Sequence, residues 1–515
     1  MSSPGLTVHT GSNRKLRGAG SLLFFTVSAS APMTVLAGGI LATYAVGGLV
    51  GVPLSFPILA VALGLFTVGY AAMSRHVSNA GAFYAYLAKG LGGAFGVGGS
   101  FVALIAYNTI QIGLYGLFGY AASGFATAHF SLNWQWWVWA LIAWLLVALL
   151  GVLRIDLNAK VLAVLLIAEV IAVVLFDFGA ITKPADGSLS FAGFQPHNLF
   201  TQGVGAVFAF GIAAFVGFES GTSYSEEVRD SRRTVARATY GALLITGVLY
   251  SVSAWAMTLS VGPSHVVDAA RDPASGLPFA QLASYFGGAG NTIADIANVL
   301  LITSVFAALL SFHNAVARYA LALGRERVLP SFLGSRGRGS GAPIAGSVLQ
   351  SVLGVLCIVI FAALGRDPLL ELFTWFSYVA AVGVLLLMLT CSMAVIGYFV
   401  RRPNAVENLW QRMIAPILAI GALAVILGVV VLNSDALLGA VKGSALTYIL
   451  PGLVGVAAVL GLAWGLILRA AKPDVYAGIG RGLGDDDDDA DTSARVALPT
   501  GRHGNPDSDL SRLQV

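Results

Sequence analysis

Apolar residues in this chain come in long blocks rather than in alternation. Runs of about twenty, the length a helix needs to cross the hydrocarbon core of a bilayer, recur near 22–46, 53–73, 94–127, 135–153, 159–180, 202–226, 236–261, 290–323, 344–364, 369–399, 412–432 and 445–469. Each is too long and too continuously apolar for a membrane-barrel strand, which shows only about ten alternating residues. The pattern predicts an all-α membrane protein of about twelve transmembrane helices. The first run follows some twenty polar residues and outlasts a secretory leader's apolar region, so it is predicted to be a span and not a cleaved signal.

Composition agrees. Of 515 residues, 57% are hydrophobic and only 10% charged, where soluble domains carry about 25% charge. The 62 glycines suit close helix packing in lipid. The two cysteines, Cys357 and Cys391, lie in separate apolar runs and read as core residues. Two cysteines and seven histidines without ligand spacing build neither a disulfide framework nor a metal site. No nucleophile–base pair or phosphate loop stands out, so the chain is not expected to be an enzyme and no cofactor or nucleic-acid partner is predicted.

The charges set an orientation. Arg14, Lys15 and Arg17 precede the first run, and Arg75, Lys89, Arg154, Lys160, Arg229, Arg232, Arg233 and Arg237 fall in alternate connections after it. Arg325, Arg327, Arg336, Arg338, Arg401, Arg402 and Arg412 continue the series, while the opposite loops hold Lys183, Arg271, Arg366 and Lys442. Basic loops stay in the cytoplasm, which predicts a protein of the cytoplasmic membrane with both termini inside. Residues 1–21 form the cytoplasmic N-terminal segment. Beyond Lys472, residues 473–515 carry the run Asp485–Asp489 and little that is apolar. They are predicted to be a disordered acidic cytoplasmic tail, with a site for a basic partner as the alternative.

Two runs are interrupted. In the first, Pro32 removes an N–H and clashes one turn back, freeing backbone groups near Ser28 and Ala29. In the sixth, Gly211, Gly217 and Gly221 are weak points. Broken helices survive in lipid where they line a cavity, and interruptions at corresponding places in two halves point to a transporter's substrate site. A kinked packing helix explains either break alone; the pair favours transport.

The break in span one, together with Phe215-Val-Gly-Phe-Glu-Ser-Gly-Thr-Ser-Tyr-Ser-Glu-Glu-Val-Arg-Asp-Ser-Arg-Arg-Thr-Val-Ala-Arg-Ala238, resembles the amino acid–polyamine–organocation permeases. Asp230-Ser231 stands where that family has Asn-Pro, and Ala236 where it has a later proline. The stretch Arg318 to Pro330 is similar to the family's exit from span eight, whereas its glycine-rich break in span one is here Ser30-Ala31-Pro32. The resemblance covers roughly 22–464. It implies a leucine-transporter-like fold of five-plus-five inverted repeats, 22–180 and 202–399, with discontinuous spans one and six, followed by spans eleven and twelve at 412–469.

It also implies a site. Amides of Ser28, Ala29, Ser30 and Ala31, at the positive end of a half-helix, are expected to hold a substrate carboxylate. Carbonyls from Phe210 to Ala214, including Ala213, are expected to accept from the ammonium, with Phe210 and Phe215 as gates or pocket walls. Asn108 and Gln111 are candidate pocket contacts on span three; Thr109, Asn298, Thr303, Ser304, Trp375, Ser377 and Tyr378 are further polar residues within spans. Helix–helix hydrogen bonding is the alternative for each, as is packing for the two aromatics. His313 and Asn314 read as structural.

Two acids lie inside spans, where a charge costs roughly 2.5–3.5 kcal/mol by insertion scales. Glu169 is near the centre of run five, and Glu219 sits in the sixth-span motif. Both are candidate proton-coupling residues, against a structural hydrogen bond or a counter-charge for a cationic substrate. Some relatives are thought to carry a lysine in span five, so Glu169 inverts that sign. These readings converge on a secondary active transporter of amino acids or related organic amines, working by alternating access with protons or by exchange. Sodium through Thr303 and Ser304 ranks below protons, and polyamines are an alternative substrate. In a different class, a ligand-gated channel or receptor-like protein is the rival. The expected partners are the small substrate, the coupling ion and lipid.

Overall fold

Lipid offers backbone groups no partners, so a spanning segment must satisfy its own. The computed structural model describes residues 31–77, 81–153, 159–219, 231–335, 337, 342–439 and 444–481, and its described spans are helical. Among the described residues, ten helices are long and apolar enough to cross a membrane, and two shorter apolar helices, Pro32–Gly47 and Val204–Phe215, stand where spans one and six were expected. The long ones are span two (Val52–Met73), three (Gly93–Phe130), four (Trp136–Leu153), five (Ala159–Thr182), seven (Ser231–Val261) and eight (Gly290–Arg325). Span nine (Ile344–Ala363), ten (Pro368–Val400), eleven (Trp410–Leu432) and twelve (Ala445–Ala471) complete the set.

Spans three, seven and ten are mostly buried, while four and twelve are the least buried. The exposed side chains of the outer spans, such as Leu145, Leu149, Val456 and Val459, are aliphatic and suited to lipid. Because lipid gives helices no hydrophobic reason to associate, close packing needs small residues at the contact. Spans three and twelve meet in this way. A Cβ on Gly461 would lie 2.9 Å from the Cα of Gly98, and one on Gly465 would lie 2.6 Å from the Cα of Ala94. Both pairs are spaced four residues apart, on one face of their helix.

The structure adds elements that hydropathy does not reveal. A buried helix, Ala82–Leu91, joins spans two and three and packs on span ten. Short helices Val266–Arg271 and Phe279–Tyr285 cross between spans seven and eight. Three of the four cations of the opposite loops serve locally. Arg271 Nε donates to the carbonyl of Ala45 (2.8 Å) at the end of the span-one helix, and Lys183 Nζ donates to the carbonyl of Tyr285 (2.6 Å). Arg366 pairs with Glu371 at 3.0 Å. Cations are favourable at helix C-termini, which accounts for the first two.

The predicted tail starts later than its composition suggests. Residues Pro473–Gly478 form a helix whose Tyr476 hydroxyl accepts from the Ala94 N–H (3.2 Å). Gly480 N–H donates to Glu326 (2.8 Å), which also accepts from Tyr84, and Ile479 is buried. Burial, followed by the proximity of Glu326, pushes the Tyr84 phenol well above its usual range. The correction has a simple cause: Val475, Tyr476 and Ile479 give this short segment an apolar stripe that a polar average conceals. Residues 482–515, with the aspartate run, lie outside the described residues.

Candidate functional site

The break in span one sits at Ala31, the first residue described; Ser28, Ala29 and Ser30 lie outside the described residues. Ala31 is left-handed (φ 43°, ψ 74°) and precedes Pro32 at the first helical position. A left-handed alanine costs about 1–2 kcal/mol, and the proline ring bars it from a helical conformation. The helix therefore starts here, with its positive end inside the protein. The Met33 amide, one of the donors a helix start leaves free, lies beside the Glu169 carboxyl of span five.

The span-six break falls after Phe215. Gly217 adopts φ 109°, a conformation glycine supplies without strain. Its freed N–H donates to Glu219 Oε2 at 2.9 Å, and Tyr107 of span three donates to Glu219 Oε1 at 3.0 Å. Glu219 thus ties the broken backbone to span three. Of the three glycines expected to weaken this span, Gly217 carries the break, Gly211 lies inside the helix, and Gly221 is outside the described residues.

A cavity of about 50 Å³ lies where the breaks face each other; on this scale a water needs about 10–15 Å³. Span one contributes Ala31, Thr34, Val35 and Gly39, and span six contributes Phe210, Ala213, Ala214 and the following Val216. Ile110 and Leu114, Ala308 and Phe312, and Phe373 and Ser377 close it from spans three, eight and ten. No Asp, Glu, Lys, Arg or His is among these lining residues. Its polar side chains are Thr34 and Ser377, and the buried Ser377 hydroxyl has no partner among the described residues. Phe210 packs near Phe373, ring centroids 6.2 Å apart.

Other expected contacts lie elsewhere. Phe215 turns away from the cavity and packs edge-on against Phe56 (6.2 Å) and Tyr250 (6.1 Å). Asn108 Nδ2 donates to the carbonyl of Leu104 (2.6 Å) on its own helix, and Asn108 does not line the cavity. Gln111 is buried in a polar knot between spans three, eight and nine. It accepts from Gln350 and lies 3.4 Å from His313 Nδ1, whose Nε2 is 2.6 Å from Ser347. Such a knot gains its energy from being complete. Gln111→Met is therefore expected to cost about 1–2 kcal/mol of stability, seen as a lower thermal midpoint, with substrate affinity unchanged.

Glu169 is 5% exposed and does not line the cavity. It accepts from Ser304 of span eight (Oγ to Oε2, 2.7 Å), and Ser304 accepts from Thr34 Oγ1 at 3.0 Å. Glu219 is likewise buried and absent from the cavity lining. The sequence reading missed two groups. Tyr107, the donor to Glu219, looked like one more aromatic in an apolar run. Asp177, eight residues after Glu169 in the same span, is buried and accepts from Ser253 of span seven (2.9 Å). Its position inside run 159–180 was the available signal.

Comparison with known proteins adds a separate line. The family model described as amino acid permease matches residues 20–459. The chain is 26% identical over 319 residues to a branched-chain amino acid permease of Lactococcus lactis subsp. cremoris, covering 55% of this chain and 63% of the relative. It is 26% identical over 179 residues to a putrescine transporter of Haemophilus influenzae, covering 34% and 39%. An uncharacterized transporter of Mycobacterium tuberculosis is 30% identical over 120 residues, covering 23% and 26%. In each case the match spans less than two thirds of the relative's length.

Proposed function

The chain belongs to the amino acid permease family, within the amino acid–polyamine–organocation superfamily, and on that premise we propose that it carries neutral, apolar amino acids across the cytoplasmic membrane by alternating access, driven by protons. The observation that carries this reading is the cavity at the facing breaks, with aliphatic and aromatic walls and no charged side chain among its described lining residues. A substrate's charged backbone groups are met by helix ends and carbonyls. Its side chain meets Val35, Ile110, Leu114 and Phe210. A diamine such as putrescine needs a carboxylate for its second ammonium, since an unpaired buried charge costs several kcal/mol. Neither Glu169 nor Glu219 reaches the cavity to serve as one. The similarity to the branched-chain permease supports the same choice.

Proton coupling rests on Glu169 at the start of the span-one helix. An ionised Glu169 and a substrate carboxylate compete for one positive helix end. Protonating Glu169 relieves the repulsion, so proton and substrate favour each other's binding, as symport requires. The charge asymmetry of the loops supports cytoplasmic termini. The testing experiment is uptake of labelled L-leucine into proteoliposomes, with isoleucine, valine, arginine and putrescine as competitors. The branched amino acids are expected to compete and putrescine to fail. Competition by putrescine without that by valine or isoleucine contradicts the substrate class and favours the amine reading that the second relative suggests.

A further inference from the structure

Thr34 lines the cavity, Ser304 lies behind it, and Glu169 behind that, so three side chains from three spans form one continuous chain. A carboxylate only accepts hydrogen bonds, which sets the direction of the others. Ser304 donates to Glu169 at 2.7 Å and Thr34 donates to Ser304 at 3.0 Å. With both hydroxyl hydrogens committed inward, Thr34 offers the cavity only lone pairs.

We propose that Thr34 and Ser304 form a reversible hydroxyl relay that reports the protonation of Glu169 to the substrate, making Thr34 a contact whose hydrogen-bonding sense switches with the coupling proton. The proposal rests on the reading of Glu169 given above. The balance is simple. One proton from water binds Glu169, whose charge goes from −1 to 0, and the new O–H donates to Ser304 Oγ. Ser304's own O–H then turns to Thr34 Oγ1, and Thr34's O–H turns into the cavity. No covalent bond within either hydroxyl breaks; two rotors turn. Thr34 then presents a donor, suited to a substrate carboxylate.

Nothing else described competes for this carboxyl. It accepts from the Ser304 hydroxyl, and the Met33 amide lies beside it. On span seven, Tyr250 packs on Phe56 and Phe215, and Arg237 and Tyr240 are exposed. On span eight, Asp295 pairs with His129, His313 belongs to the Gln111 knot, and Arg318, Tyr319 and Arg325 lie toward the C-terminal end. On the helix of span one, Tyr44 donates to the carbonyl of Ala254. The helix Phe279–Tyr285 brings Tyr285 against Phe176, and on span five itself Asp177 bonds Ser253.

The test compares Thr34→Val, Thr34→Ser, Ser304→Ala and Glu169→Gln in the purified full-length protein. L-leucine affinity in wild type is expected to be about fivefold or more tighter at acidic than at neutral pH, the lower end of ordinary coupling. Glu169→Gln flattens that ratio. Thr34→Val and Ser304→Ala reduce it by at least about twofold, the least a net hydrogen bond contributes, and Thr34→Ser keeps it. A merely structural defect weakens binding equally at both pH values and leaves the ratio intact; an intact ratio in Thr34→Val overturns the relay. A second arm needs no substrate. The infrared carboxyl band that disappears in Glu169→Gln is titrated, and its midpoint is expected to move in Ser304→Ala, to move less in the same direction in Thr34→Val, and to hold in Thr34→Ser. An unmoved midpoint in Thr34→Val also overturns the relay. Absence of leucine binding in wild type at every pH contradicts the proposed substrate class instead, and the infrared arm then decides the relay by itself.

Discussion

Glu169→Gln is expected to abolish proton-driven accumulation of substrate while leaving binding and substrate exchange in place. Glutamine keeps the shape of the side chain, and its oxygen can still accept from Ser304. The fold around the break should therefore survive. What is lost is the group that gains and releases a proton. Each pH unit across the membrane is worth about 1.36 kcal/mol per proton, or roughly tenfold in accumulation. The variant should lose that factor and carry leucine only to equal concentrations. Counterflow, in which internal unlabelled leucine exchanges for external label, should continue. Unchanged accumulation with an unchanged pH profile contradicts a coupling role and leaves Glu169 as a helix cap.

The second large effect is expected from filling the cavity. Ala214 lines it from span six and is itself buried. Ala214→Leu adds roughly three methyl-sized carbons to a space of about 50 Å³. Leucine affinity should fall more than about 100-fold, because the added carbons occupy the space of the substrate's side chain. The cost to the fold should stay within about 1–3 kcal/mol, the usual range for overpacking. Equilibrium binding together with a thermal unfolding curve separates the two effects. Near-normal binding in a folded variant places the substrate elsewhere. Ala31→Leu acts on the opposite wall, but its left-handed backbone adds strain, so Ala214 is the cleaner site.

Much of this architecture was legible because membrane physics writes it in one dimension. Run length announces a span whatever its neighbours do, and Pro32 announces a break because it lacks an N–H wherever it sits. Contacts between spans are different. Gln111 and Thr34 are both isolated polar residues in apolar sequence, yet one faces His313 and Gln350 while the other lines the cavity. Helix rotation decides between those fates, and in a helix apolar on nearly every side no amphipathic stripe fixes the rotation. The same ambiguity hid the direction of Phe215. Glu219 was visible as an acid, but its capping of Gly217 depends on a φ of 109° that emerges only when the chain is folded. The helix Pro473–Gly478 was obscured for the opposite reason, since its few apolar residues are diluted by a polar tail.

Glu169 was the most conspicuous residue in the sequence, and the structure gives its burial a physical account. Its carboxyl meets a helix start and a hydroxyl from span eight, and so stands one shell behind the cavity. That position suits a group that senses a substrate's charge without touching it. The direct measurement is leucine and proton movement together in wild-type proteoliposomes, with leucine equal on both sides and the outside made acidic. The account predicts that leucine accumulates inside while protons enter with it. Leucine that stays at equal concentrations, or accumulates with no accompanying proton influx, contradicts it.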